Sequence, residues 1–464
     1  MTRMQVIVVV ITIALNALDG FDVLSISLTA ASIRNELGID AGLTGLLLSM
    51  ELVGMAIGSI FLGRRADVWG RRPMMLACLV MMTAGMFMVT TDAGFMAGLL
   101  HPVMASIPWT SDWPVELVHI SIWRIVTGLG IGGMLASINA VVAEYSNGRK
   151  KHMNVAMMSI GYPIGAFTGG FIAAELLERY TWDSVFLLGF GMTLAMIPIV
   201  YFLVPETVAW QVRNQKEGTL AKVNSTLRRM GHAPVDALPD VREELAQQSH
   251  NSIFTPKLIR TTVILTVAYF FHIMTFYFIL KWTGVIVEDR GFLSSEAGRI
   301  LSWINVGGAT GGALIGLLTL KYDLKRLTIG AMIMSTITVM IYGSVGSDLF
   351  QMTLICIVCG FFINAAINGM YAMFAHAYPT QVRAAGTGFA IGLGRGGSLL
   401  APITAGFMFE GGFGVPVVAI ILACGSLIAA IALMFLKLDT TPPEAAEAKP
   451  SKREAPPALQ ESAA

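Results

Sequence analysis

Stretches of about twenty apolar residues, long enough to cross a lipid bilayer as a helix, recur twelve times along this chain. They fall at roughly 5–31, 43–62, 74–91, 118–143, 154–178, 183–204, 261–287, 299–320, 327–346, 349–376, 384–409 and 414–436. In hydrocarbon every backbone N–H and C=O must be satisfied inside the segment, which leaves helices for runs of this length. Composition points the same way: 13% of the 464 residues are charged, against about 25% in a soluble domain. An all-α membrane protein with twelve transmembrane helices is therefore expected. The first run outlasts the ~7–15 residues of a signal h-region and holds two aspartates, so it reads as a span and not a cleavable leader.

The spans divide into two sets of six. Residues 1–204 form an N-terminal half and 258–438 a C-terminal half, joined by a polar linker at 205–257 that contains an amphipathic stretch from Leu220 to Met230. Residues 439–464, rich in Ala, Pro, Glu and Lys, have too little apolar surface to fold alone, so a disordered tail is expected. The loops around 92–118 are interrupted by Pro102, Pro108 and Pro114 and read as an apolar loop. Basic residues set the orientation: with a cytoplasmic N-terminus, that side collects 24 of the 31 Lys and Arg and the other side four. The expected setting is an inner membrane, multi-pass, with both termini in the cytoplasm.

The halves also repeat each other. The second span ends in Gly63-Arg-Arg-Ala-Asp67-Val-Trp-Gly70-Arg71-Arg72, and the eighth in Lys321-Tyr-Asp323-Leu-Lys325-Arg326, a carboxylate followed by two bases each time. Two related six-helix halves are the plan of many secondary transporters, with the substrate between them near the midplane.

The Gly63 to Arg72 element resembles the loop signature of the major facilitator superfamily. Three more stretches narrow the resemblance: Asp19-Gly20-Phe21-Asp22 in the first span; Arg124 to Gly133 in the fourth, leading to Glu144-Tyr145; and Tyr378-Pro379 through Arg383 into the eleventh, with Gly394-Arg395-Gly396-Gly397. Together they are similar to the aromatic acid:proton symporters, carriers of benzoate-like and hydroxybenzoate-like anions. The resemblance implies a major facilitator fold and proton-coupled import of an aromatic carboxylate by alternating access. Import of another organic acid and a proton-driven efflux antiporter of the same fold stand as the rival readings.

Charges inside the spans carry the chemistry. Each raises the free energy by at least ~2.5–3.5 kcal/mol at a span centre, so a chain that keeps several uses them. There are three acids, Asp19, Asp22 and Glu51, and three bases, Arg124, Lys281 and Arg395. They sum to zero, so a substrate carboxylate leaves one negative charge in excess until an acid takes a proton. Asp19 and Asp22 share a helix face at i, i+3 spacing, and two carboxylates so close resist joint ionisation, as a proton site requires. Glu51 is either a second proton site or the packing partner of a base. Arg395, among glycines near mid-span, is the candidate for the substrate carboxylate, which its planar fork fits bidentately. Arg124 is expected to partner a first-span aspartate, in coupling or as a fixed ion pair. Lys281 either draws anions into an outer vestibule or snorkels from its helix end, the blander reading.

Around these, Tyr269, Trp303, Asn305, Asn364, Asn368 and Tyr371 are candidates to line a pocket for a ring and its hydroxyls, and each is also a plain packing residue. His272 reads as a hydrogen-bonded packing histidine. Gly63, Asp67, Gly70, Arg71, Arg72, Glu144 and Arg383 form the gating set, with Asp67 expected to approach the start of the eleventh span near Ala384. Gly161, Gly165 and Gly169 repeat every four residues, the spacing that lets helices touch. The sequence contains no metal-ligand cluster, nucleophile elbow or nucleotide loop, and its net charge of +1 gives no basis for nucleic-acid binding. Expected partners are the acid, protons and the lipid bilayer, around a monomer without cofactor or metal.

Overall fold

A computed structural model of the chain describes residues 1–106, 113–147, 151–214, 218–238, 254–256, 258–379 and 382–437. Each apolar run has become one helix, and polar side chains mark where the helices start. Thr2 opens α1 (Arg3–Leu37) in a capping box with Gln5, and Asp40 caps α2 (Ala41–Trp69). Gly38, at φ +62°, makes the left-handed turn between these two helices that residues with a Cβ resist. There follow α3 (Arg71–Val89), α4 (Gly94–Ser106), α5 (Val115–Tyr145), α6 (Lys151–Arg179) and α7 (Asp183–Leu203). The linker contributes α8 (Val208–Arg213) and α9 (Thr219–Arg229), and the rest of the expected 205–257 segment lies largely outside the described residues. The C-terminal half holds α10 (Ile259–Asp289), α11 (Ser294–Leu318), α12 (Leu324–Ser344), α13 (Leu349–Ala377), α14 (Arg383–Glu410) and α15 (Val415–Met434). The tail at 439–464 is outside the described residues.

Two expectations shift. Residues 92–118 are not simply a loop, because Gly94–Ser106 is helical, Pro102 included. Of the twelve long helices, eleven are long and apolar enough to cross a membrane. The twelfth, α14, is diluted by its many glycines and Arg395.

Glycine sets which helices pair. A Cβ on Gly165 would run into the Ala17 carbonyl and one on Gly161 into that of Ile13, so the four-residue glycine stripe of α6 is the groove in which α1 lies. On the α2–α5 contact Gly54 and Gly58 meet Gly128 and Leu129, and on the α11–α13 contact Gly307 and Gly311 meet Ile357 and Phe361. These pairs expose the repeat: α1–α6, α2–α5 and α3–α7 in the first half match α10–α14, α11–α13 and α12–α15 in the second. Between halves, α2–α14 answers α6–α11.

With twelve long helices, the start of α1 and the end of α15 lie on one face, here named the terminal face. The contacts that join the halves lie away from it. Gly42 and Gly45 meet Glu410 and Pro402, Gly284 meets Ser27, and Gly170 meets Ser302. Arg34 pairs with Asp289 across the halves, and Arg299 with Glu178 at 3.1 Å. The halves are thus closed on the far side. Arg395 on α14 and Asn364 on α13 are half-buried, and Asn368 and Tyr371 on α13 are exposed.

Candidate functional site

Glu51 is the centre of the buried charge. It sits mid-way along α2 with none of its surface exposed, and two bases reach it from different helices. Arg124 of α5 brings Nη2 to 2.7 Å from Oε1, and Lys281 of α10 brings Nζ to 3.1 Å from Oε2. Each base also donates to an α1 carbonyl: Arg124 to Asp22 at 3.0 Å and Lys281 to Val23 at 2.6 Å. Arg124 completes its surroundings with the Met86 sulfur at 3.6 Å and the Phe186 ring, 5.5 Å from the guanidinium carbon. The acid–base pairing therefore differs from the sequence expectation. Arg124 takes its carboxylate from α2, while Asp22 of α1 lies within electrostatic reach of the guanidinium without a hydrogen bond to it. Lys281 does not snorkel: its ammonium is fully buried and held in the opposite half.

The carboxylates of Asp19 and Asp22 remain without a hydrogen-bonding protein partner, and all four of their oxygens are buried. Asp22 looks toward Gly189 of α7 and Met86 of α3. Counting Asp19, Asp22 and Glu51 against Arg124 and Lys281, the buried cluster has one acid more than it has bases. Arg395 stands apart from this cluster. No ion pair joins it to an acid among the described residues, and its Nη1 is buried without a hydrogen bond.

What surrounds Arg395 is phenolic. Tyr269 and Tyr277 of α10 lie close enough to feel its charge, and Tyr371 joins Tyr269 through a 3.1 Å hydroxyl contact. Tyr162, from α6 in the other half, lies within electrostatic reach of Tyr277 and Tyr371 and of Asp19 and Glu51. The tyrosines thus span the space between Arg395 and the acid cluster. Tyr162 and Tyr277 were missed in the sequence, where nothing separates them from lipid-facing aromatics. Asn364 and Asn368 lie one turn apart on α13, donating to the Gly360 and Asn364 carbonyls. Asn305 bonds back to Leu301. Trp303 belongs to another group: it is 38% exposed and sits edge-on to Phe167 and Phe171. His272 spans Ser426 at 2.9 Å and the Ile363 carbonyl at 3.0 Å, a packing role.

The gating set lies on the terminal face and bonds within its own half. Asp67 pairs with Arg71 at 2.8 Å, and Glu144 lies 3.7 Å from the same arginine. Gly63 packs by Ala136, and Arg383 donates to the Tyr378 carbonyl at 3.3 Å. The side chain of Ala384, which Asp67 was expected to approach, lies outside the described residues. The linker supplies an unexpected member. Glu206 accepts from the backbone N–H groups of Arg71 at 3.0 Å and Arg72 at 3.3 Å, capping α3 where Gly70, at φ +113°, brings the chain round. Trp210 holds the Asp67 carbonyl at 2.8 Å.

Burial pushes the Glu206 carboxyl above the usual glutamate range, the N–H bonds from Thr207, Arg71 and Arg72 hold it back, and Glu144 adds to the rise. The folded state therefore binds this proton more readily than the unfolded one. Its contribution to stability falls as pH rises from the ordinary glutamate value through the raised one, then stays level. Glu206→Gln keeps an acceptor for α3 and removes that loss. Thermal unfolding in detergent across the acidic to neutral range should show the Gln variant at least as stable at neutral pH, and Glu206→Ala about 1 kcal/mol worse. A Gln variant weaker at neutral pH would mean that the ionised carboxylate's attraction to the helix N-terminus prevails.

Known proteins share this architecture and sequence. The model of the Major Facilitator Superfamily matches residues 10–292 and 262–462. The gallate transporter of Pseudomonas putida is 24% identical over 433 residues, covering 93% of this chain and 91% of its own. The 4-hydroxybenzoate transporter PcaK of Acinetobacter baylyi is 25% identical over 406 residues, covering 86% and 84%. Among solved structures, the partially occluded inward open conformation of the xylose transporter XylE from E. coli superposes with a TM-score of 0.72 at 15% identity, covering 94% of this chain and 99% of that one. The chain belongs to the Major Facilitator Superfamily, whose members are transporters and not enzymes.

Proposed function

We propose that this protein imports an aromatic carboxylate together with protons by alternating access, with the terminal face in the cytoplasm of an inner-membrane protein. The observation that carries the reading is Arg395: a mid-helix guanidinium with no ion pair to an acid among the described residues, close to Tyr269 and Tyr277. A guanidinium is kept in such a place to meet an anion that comes and goes, and its fork matches a carboxylate. Tyrosine edges and faces suit an aromatic ring, and their hydroxyls suit ring hydroxyls. Relatives named for gallate, 4-hydroxybenzoate and benzoate carry acids of this chemistry.

Proton coupling follows from the charge balance. Fully ionised, the cluster around Glu51 holds one unmatched negative charge in a dry interior, and the unpartnered carboxylates of Asp19 and Asp22 are where a proton removes it. The loop signature would then work as the terminal-face gate, with Asp67, Arg71 and Glu144 trading partners as the halves rock.

The test is uptake of labelled benzoate, 4-hydroxybenzoate, gallate and protocatechuate into energised cells, with and without a protonophore, for wild type and Asp22→Asn. The expected result is accumulation in wild type that collapses with the protonophore, and in Asp22→Asn a loss of uphill accumulation with exchange of the acid retained. Accumulation untouched by the protonophore would remove the proton from the mechanism; transport of none of these acids would remove the substrate class.

A further inference from the structure

Two cations of the C-terminal half, Lys281 and Arg395, sit at different depths between the two faces. Trp282, the neighbour of Lys281, donates from Nε1 to the Pro402 carbonyl at 3.1 Å, which sets Lys281 about two helical turns, roughly 10 Å, beyond Arg395 on the far side. Arg395, nearer the terminal side, has no ion pair to an acid among the described residues. Lys281 is occupied by Glu51 and the Val23 carbonyl, and both of these belong to the other half. Of the ion pairs described between halves, Arg34–Asp289 and Arg299–Glu178 lie at the exposed rim, whereas Lys281–Glu51 has no exposure at either end.

We propose that Lys281 is the outer anion station of the transport path, and that Glu51 stands in for the substrate carboxylate there while the outer side is closed. The inference rests on the reading of the cargo as a carboxylate. Glu51 keeps Arg124, a member of its own half, in every state, whereas Lys281 leaves with α10 when the halves part. An ammonium taken from its carboxylate in a low-dielectric path needs water or another anion. The outward-open vestibule supplies both, and a carboxylate arriving from outside takes the place Glu51 vacated. Closure then returns Lys281 to Glu51 and releases the acid inward, where Arg395 is the remaining cation. The same ammonium thus bolts the outer side shut and receives the cargo when it opens.

The two duties predict separable losses. The first is read in a protein whose four native cysteines are replaced and which carries Ser302→Cys, a position fully buried against Gly170 in the closed outer seam. A membrane-impermeant maleimide applied from outside should label it slowly with Lys281 present. Lys281→Met should raise that rate about tenfold, and Lys281→Arg should leave it near wild type. The second is read with labelled benzoate or 4-hydroxybenzoate in right-side-out and inside-out vesicles. Lys281→Met should raise KM from the outer side about tenfold and leave KM from the terminal side within about twofold. If Lys281→Met does not reach the membrane, Lys281→Gln, which removes the charge but keeps a polar donor beside Glu51 and the Val23 carbonyl, serves in both arms.

Labelling unchanged by loss of Lys281 overturns the bolt. Labelling raised with the outer KM unchanged overturns the anion station, as does an equal rise in KM from both sides, which marks a general defect. If wild type carries none of the acids, the cargo reading and the station fail with it, and the labelling arm alone decides the bolt.

Discussion

Glu51→Gln should be among the most destructive single substitutions in the protein, worth about 3–5 kcal/mol of stability, because it removes the carboxylate that two buried cations contact. In the folded chain Arg124 and Lys281 have no exposed surface, and Glu51 is the acid both of them reach. A glutamine keeps the size and an acceptor oxygen, yet cannot answer either charge. The repulsion between the bases then adds to their loss of a counter-ion. The expected outcome is a low yield of folded protein and an early thermal transition in detergent, with Glu51→Asp milder because the charge survives at a shorter reach. Adding Lys281→Met to Glu51→Gln should recover part of the loss, since one stranded cation is gone and Arg124 keeps the Asp22 carbonyl and the Phe186 face. That recovery, measured as the interaction energy of a double-mutant cycle, isolates the pair. A Glu51→Gln protein as stable as wild type would mean that the three charges do not form the cluster described.

Much of this architecture is written in the sequence because a bilayer leaves few alternatives. Twelve apolar runs give twelve helices, and Thr2, Asp40, Asp323 and Asp348 start them for local reasons that a few residues contain. The glycine stripe of α6 marks a contact face from spacing alone, although not that α1 fills it. The inventory of buried charges was legible too. What could not be read was who pairs with whom. Glu51 meets Lys281 across 230 positions of sequence, and only the docking of α10 against α1 brings them together. For the same reason Lys281 looked like a helix-end lysine free to snorkel. Trp303, Tyr162 and Tyr277 were equally opaque: an aromatic residue in a span looks alike whether it faces lipid, a neighbouring helix or a polar cavity. Helix rotation within the bundle decides that, and it is a tertiary quantity.

Arg395 should behave in the opposite way to Glu51, and the contrast separates binding from folding. Its guanidinium has no acid partner inside the protein among the described residues, so removing its charge strands nothing and relieves an unpaired cation. Arg395→Gln is therefore expected to fold and reach the membrane as well as wild type, with a thermal transition in detergent at least as high. Transport is where the loss falls. Two charge-assisted hydrogen bonds to a carboxylate, at about 1.5–3 kcal/mol each, amount to roughly 3 kcal/mol or more, which is a rise in KM of about a hundredfold or beyond. Arg395→Lys keeps a positive charge but presents one point donor in place of a planar fork, so an intermediate loss of about tenfold is expected. The ligand-induced stabilisation of wild type by benzoate or 4-hydroxybenzoate should vanish in the Gln variant under the same conditions, because a bound acid raises the transition only as far as it binds. Initial rates of labelled uptake against concentration, alongside those melting curves, give both readouts on one set of proteins. An Arg395→Gln protein that carries the acid with an unchanged KM would take the substrate carboxylate away from Arg395, and a variant that fails to fold would place this arginine in the framework instead of the path.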